Sequence, residues 1–275
     1  MRHAETGNPA TAEAPHAADP QSAKCGFTMI PLLRAGFVVL LLTLWWVASL
    51  NMPRGIIPSP VATGQAALRL WSEGRLQSAL LDSLSVYVSG CAVAVLVGIP
   101  LGVLMGSIRL LGRTVDVFVY ALAATPRVAF IPLIIVILGL GFEAKTFVVF
   151  LGAVMPVIIN TYAGVLNADE DLLEMARSTG ARPLRIYRHI ILPGALPFLV
   201  VGLRLGATIG LINTVVAELY TAVRGLGGLL ALYGNTFRMA EYFVIVLMLA
   251  LIGVIVTEGL RVLENHLSRW RVQDG

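Results

Sequence analysis

Six apolar runs, near residues 35–50, 80–106, 115–140, 146–166, 196–223 and 242–260, dominate this sequence of 275 residues. A helix needs about 20 residues to cross the ~30 Å hydrocarbon core of a bilayer. The runs have that reach, the shortest of them, the first, with help from the flanking Leu32 and Leu33. Only 13% of the residues are charged and the mean hydropathy is +0.83, whereas about 25% of a soluble domain is charged. The fold class that follows is all-α: a polytopic membrane protein with six transmembrane helices.

The residues before the first run lack an apolar face to bury and are rich in Ala, Pro, Thr and His, so residues 1–30 read as a disordered tail. The membrane domain is expected over 31–271 and a short tail over 272–275. The first apolar run begins too far from the start for a cleaved signal peptide. Cys25 and Cys91 have no metal-site spacing, and no catalytic or metal constellation of His, Cys and carboxylates is present in the sequence.

An even number of spans puts both termini on one side, and basic loop residues select the cytoplasm. Arg2, Lys24, Arg34, Arg109, Arg113, Arg177, Arg182, Arg185, Arg188, Arg261, Arg269 and Arg271 share the terminal side, against Arg54, Arg69, Arg75, Lys145, Arg224 and Arg238 opposite. Both termini and the loop 167–193 are therefore expected in the cytoplasm. The net charge of +4 does not indicate nucleic acid, because the basic residues are dispersed and form no stripe.

Two spans carry glycine ladders, Gly98, Gly102 and Gly106 in the second and Gly202, Gly206 and Gly210 in the fifth. Small residues at every fourth position allow close helix approach in lipid. Which partner they face, the same chain or a second copy, is open at this point. The third span is interrupted by Thr125-Pro126-Arg127, and broken backbone at membrane depth is tolerated only in contact with protein or a water-filled cavity. A translocation path is expected there, with Arg127 suited to an anionic solute and Asn213, Thr208 and Thr214 as neutral lining. Arg204, near the cytoplasmic end of the fifth span, is read as snorkelling or paired, and Glu218 as a further polar path residue.

The loop 167–193 is the largest charged stretch between spans. Asp169, Glu170 and Asp171 suit a helix N-terminus, Leu172, Leu173, Met175 and Ala176 give that helix an apolar side, and Gly180 suits its C-terminal cap. Pro183 favours the first turn of a second helix, expected to run through Ile186, Tyr187, Ile190 and Ile191 until Leu192-Pro193 stops it. A basic hairpin lying on lipid headgroups would have the same charge pattern.

The spacing of Glu174-Met175-Ala176, Gly180, Ile190, Leu192 and Pro193 resembles the EAA signature of permease subunits of binding-protein-dependent ABC importers, with Met175 where the family has its first Ala. Likeness to the nitrate, sulfonate and taurine branch extends over about 35–271. It is carried by Ile57-Pro58-Ser59-Pro60, Gly98-Ile99-Pro100-Leu101-Gly102, Ile131-Pro132-Leu133, Gly139-Leu140-Gly141, Leu192-Pro193-Gly194-Ala195-Leu196-Pro197, Gly202-Leu203-Arg204, Ala217-Glu218 and Arg224-Gly225-Leu226-Gly227. The sequence departs from that branch at Arg127, often Pro there, and at Val86, often Arg.

The resemblance implies a type I ABC importer permease fold in a bacterial inner membrane, with the 167–193 loop coupling to an ATPase. It implies two ATPase subunits, an extracytoplasmic solute-binding protein, a homodimeric permease and a small anionic solute of sulfonate, taurine or nitrate type. Aromatic or other carboxylates and pyrimidine-like solutes stay open. The chain itself has no phosphate-cradling GxxxxGK loop: Lys145-Thr146 follow Gly139 at the right distance, but Ala144 replaces the second glycine. No cofactor is expected, and ATP hydrolysis belongs to a separate subunit. The alternatives are an ion-coupled secondary transporter or channel without an ATPase, which would usually show internal repeats, and a membrane scaffold.

Overall fold

The computed structural model describes residues 20–52 and 56–267, with side chains for 33–52 and 56–262. Arg2, Arg54, Arg269, Arg271, the tail 272–275 and most of the expected N-terminal tail lie outside the described residues, as do the side chains of Lys24 and Cys25. Helix α1 (Pro20–Asn51) starts within the stretch expected as tail and continues into the first span. It belongs to the first of two compact units of the chain, which ends at Met52.

The second unit contains α2 (Pro60–Ser72), α3 (Arg75–Ser107), α4 (Arg109–Ala124), α5 (Ile131–Leu138), α6 (Phe142–Leu166), α7 (Glu170–Ser178), α8 (Pro183–Ile186), α9 (Leu192–Thr221), α10 (Leu226–Asn235) and α11 (Met239–Leu267). Five stretches, within α1, α3, α6, α8–α9 and α11, are long and apolar enough to cross a membrane. The pair α4 and α5, bent by 84°, passes the same test when taken together as one broken span. Counted that way, the six spans expected from the apolar runs are matched, and the interrupted third one is a sharp bend.

Helix α6 is the axis of this unit. Along α3, a Cβ at Gly98 would lie 2.9 Å from Val157 and one at Gly102 would lie 2.6 Å from Thr161, while Gly90 and Gly106 meet Val149 and Val165. At each contact the α6 residue stands fifty-nine positions further along the chain, so the two helices run parallel without slipping register. The α9 ladder meets α6 in the opposite sense, Gly202 against Asn160 and Gly206 against Ala153, while Gly210 reaches Cys91 of α3. Both ladders thus serve packing inside one chain. Lipid provides no hydrophobic drive for helix association, so backbone proximity and van der Waals contact hold these three helices together. Tyr87 Oη adds a 3.1 Å hydrogen bond from α3 to the Ala207 carbonyl of α9.

Two short helices, which the apolar runs did not show, cap the end of the spans away from the 167–193 hairpin. At 13 and 10 residues, α2 and α10 cannot cross a bilayer. They bury Leu70, Leu226, Leu230 and Tyr233 against Leu76 and Ala79 of α3 and Val244 and Ile245 of α11. The rim of this cap is tied by charge: the buried Glu241 carboxylate accepts from Arg69 of α2 and, at 2.6 Å, from Arg238, whose guanidinium lies 5.0 Å from the Tyr233 ring centroid.

The close approach on α6 generates a direct test. Replacing Gly102 by Leu forces the new side chain into Thr161 and the Ile158 carbonyl, 2.8 Å from the Cβ position, and overpacking of this kind costs about 1–3 kcal/mol or more. Gly102→Leu should lower the thermal midpoint of the detergent-purified protein by several degrees. Gly64→Leu, whose Cβ meets open space, should leave it unchanged.

Candidate coupling loop and translocation path

The hairpin after α6 is built by local chain chemistry. Asp169 caps α7, its carboxylate accepting from the Asp171 and Leu172 amides at 3.0 and 3.2 Å. At the other end Gly180 takes φ +72°, and the Gly180 and Ala181 amides donate to the Arg177 and Ala176 carbonyls, both at 3.0 Å. This is a Schellman cap, which requires a residue in the left-handed region at the glycine position. Pro183 then occupies the first turn of α8, where its missing N–H costs nothing.

The second arm does not stop at Leu192-Pro193, contrary to the expectation from sequence. Helix α8 passes through a π-helical turn, Tyr187–Ile191, directly into α9, and 183–221 form one long helix. A proline inside an α-helix clashes with the carbonyl four residues back. The wider π turn, with the Leu192 amide donating to the Tyr187 carbonyl, makes room for Pro193 without ending the helix. The second arm of the hairpin and the fifth span are consequently one continuous rod.

Glu174, Met175 and Gly180 are exposed, Ala176 is half-buried, and Ile190 and Pro193 are half-buried where the rod leaves the hairpin, with Leu192 at the exposed edge. The outward surface combines apolar Leu172, Met175 and Leu184, the last 78% exposed, with exposed Glu174, Arg177, Arg182, Arg185 and Arg188. His189 is exposed with Nδ1 3.0 Å from the Arg185 carbonyl.

The residues expected along a path occupy three different surroundings. At the 84° bend, Thr125 Oγ1 donates to the Ala121 carbonyl at 2.8 Å and Arg127 Nη2 to the Ala123 carbonyl at 3.1 Å. Together they satisfy carbonyls at the C-terminus of α4, where a cation is also favoured by the helix dipole. Pro126 is exposed between them, and Arg127 Nε is buried without a partner. Asn213 lies instead in the α6–α9 interface, its amide filling the place where Gly152 has no side chain. The Asn213 Nδ2 has no hydrogen-bond partner.

Glu218 forms the third surrounding and is completely buried. Its carboxylate accepts from Ser83 Oγ of α3 at 2.8 Å and from the Gly227 amide at 2.9 Å, while Ser83 Oγ accepts from the Leu226 amide at 2.7 Å. A carboxyl group thus sits at the N-terminus of α10, where unpaired amides favour an oxygen acceptor. Gly225 and Gly227 leave the space that the carboxylate needs. Beside this knot the buried Lys145 of α6 donates to the Arg224 carbonyl at 3.0 Å. Sequence reasoning took Lys145 as a basic residue of the far side and as part of a failed phosphate-loop match. Its place at the head of an apolar run, in a chain with two lysines, was the available signal.

Comparison with known proteins agrees with this architecture. Residues 98–271 match the family of binding-protein-dependent transport system inner membrane components. The taurine transport system permease protein TauC of Escherichia coli is 30% identical over 86% of this chain and 89% of its own length. The riboflavin transport system permease protein RibX of Chloroflexus aurantiacus is 31% identical over 87% and 91%. An aliphatic sulfonates transport permease protein, SsuC of Escherichia coli, is 37% identical over 58% and 60%. Among solved structures, the MetNI methionine ABC transporter in an inward-facing conformation superposes with a TM-score of 0.60 at 22% identity, over 68% of this chain and 93% of that one. The six spans, the hairpin and these likenesses together make the chain a member of the binding-protein-dependent transport system inner membrane component family, a multi-pass permease subunit of an ABC importer.

Proposed function

We propose that this permease acts as a homodimer with two ATPase subunits on the cytoplasmic side and a soluble binding protein outside, and that it imports a small anionic solute of sulfonate, taurine or nitrate type. The single observation that carries the coupling part is the unbroken helix over 183–221. A push on the hairpin reaches the core of the span without crossing a flexible joint. The exposed Leu172, Met175 and Leu184 supply an apolar contact patch, and the surrounding charges a rim, as at protein interfaces generally. The distribution of Arg and Lys supports a cytoplasmic hairpin and cytoplasmic termini, where ATP is available.

For the path, the bend at Thr125-Pro126-Arg127 offers a guanidinium with one unused buried donor, which suits an anion. Asn213 adds a second unused donor on α9. Glu218 serves the path by position: it holds α10 against α3 and α9, with both oxygens occupied by the protein. The solute class rests on similarity to permeases named for taurine and aliphatic sulfonates. The likeness to a riboflavin permease makes a two-solute assay the proper test.

Reconstituted with its ATPase and binding protein, the complex should take up taurine only when ATP is supplied, and faster than riboflavin. Uptake driven by an ion gradient without ATP would overturn the reading. Glu174→Lys should lose co-purification with the ATPase. Gly180→Val places a β-branched residue in the left-handed region at a cost of about 1–2 kcal/mol. It should keep ATP hydrolysis while uptake falls about tenfold, and normal uptake would refute the coupling role. Arg127→Ala should reduce uptake at unchanged ATPase binding, and an unchanged uptake rate would remove Arg127 from the path.

A further inference from the structure

The end of the spans opposite the hairpin contains a polar cavity that neither the coupling loop nor the bend uses. It measures about 420 Å³ and is walled by Asp82 and Val86 of α3, Lys145 of α6, Glu218 of α9 and the Arg224 segment. A second cavity of about 490 Å³ shares Asp82 and Arg224 and adds Arg75. Charges of both signs therefore face one space at the mouth of the spans.

These charges are not all used by the protein. Glu218 is saturated by Ser83 and Gly227. Lys145 is 6% exposed, yet of the three donors of an ammonium it commits one, to the Arg224 carbonyl. Among the described residues no hydrogen bond or ion pair engages the half-buried Asp82 carboxylate. Lys145 faces the carboxyl groups of both Glu218 and Asp82 around this cavity, which leaves room for a ligand that meets groups of both signs. A simple anion would meet Lys145 and Arg224 but also the repulsion of Asp82 and Glu218, and a simple cation the reverse.

We propose that this cavity binds a small zwitterion, its acid group held by Lys145 and Arg224 and its ammonium by Asp82. This rests on the importer reading above and narrows its solute class to one that carries an amine as well as a strong acid. Val86, buried in the wall, keeps a further cation out of the site and preserves the balance of sign.

The test uses the permease–ATPase complex in lipid nanodiscs without the binding protein, titrated with taurine and with ethanesulfonate, which lacks the amine. The wild-type complex should prefer taurine by about tenfold, the scale of one charge contact of about 1.4 kcal/mol. Asp82→Asn, which breaks no bond within the protein, should weaken taurine alone and erase the preference. Lys145→Met should weaken both ligands. No taurine binding by the wild-type complex, or a preference that survives Asp82→Asn, would overturn the proposal. ATP-driven sulfonate uptake by the wild-type complex reconstituted in proteoliposomes with its binding protein, measured in parallel, separates the two readings: uptake without this binding pattern sinks the cavity assignment alone, and the pattern without uptake sinks the importer reading.

Discussion

Everything else in this protein depends on the distance at which α3 and α9 can approach α6. Water would drive apolar helices together, but lipid does not. The helices must instead come close enough for many weak contacts to add up, and glycine at every fourth position makes that possible. At Gly102 and Gly206 a single added carbon would fall within 2.6 to 2.9 Å of α6 atoms, so the packing has no spare room. The constant register between α3 and α6 also fixes where their polar residues lie. Ser83 stands near Glu218, and Asp82 shares a cavity with Lys145.

Helix termini are the second theme. In a membrane each unpaired amide or carbonyl is costly, and here the ends are closed by charged or polar groups from elsewhere. Arg127 and Thr125 close the end of α4, and Glu218 with Ser83 opens α10. Asp169 caps α7 at the hairpin. Arg127 and Glu218, charged residues that look expensive inside apolar runs, are thereby explained as partners of helix ends. The same groups place the bend after α4 and the start of α10.

The hairpin shows how a local rule can hold while its usual consequence does not. Asp169, Gly180 and Pro183 form the cap, turn and helix start that their chemistry favours, because those interactions are short-range. Pro193 breaks the pattern: the π turn at Tyr187–Ile191 absorbs it, and the hairpin's second arm becomes an extension of the fifth span. Nothing in the local composition distinguishes a proline that ends a helix from one that a widened turn accommodates.

The sequence by itself determined the membrane class, the six spans, the interrupted third one and the capped hairpin, because each depends on hydrophobic length or on contacts within a few residues. It also identified the family through motif spacing. Only the tertiary structure decided that both glycine ladders face α6, that α2 and α10 cap the spans, that Glu218 is saturated at a helix start, and that Lys145 and Asp82 face one cavity. Those facts pair residues far apart in the chain. A one-dimensional pattern states which residues are small, charged or apolar, but which of them meet is set by the register of packed helices.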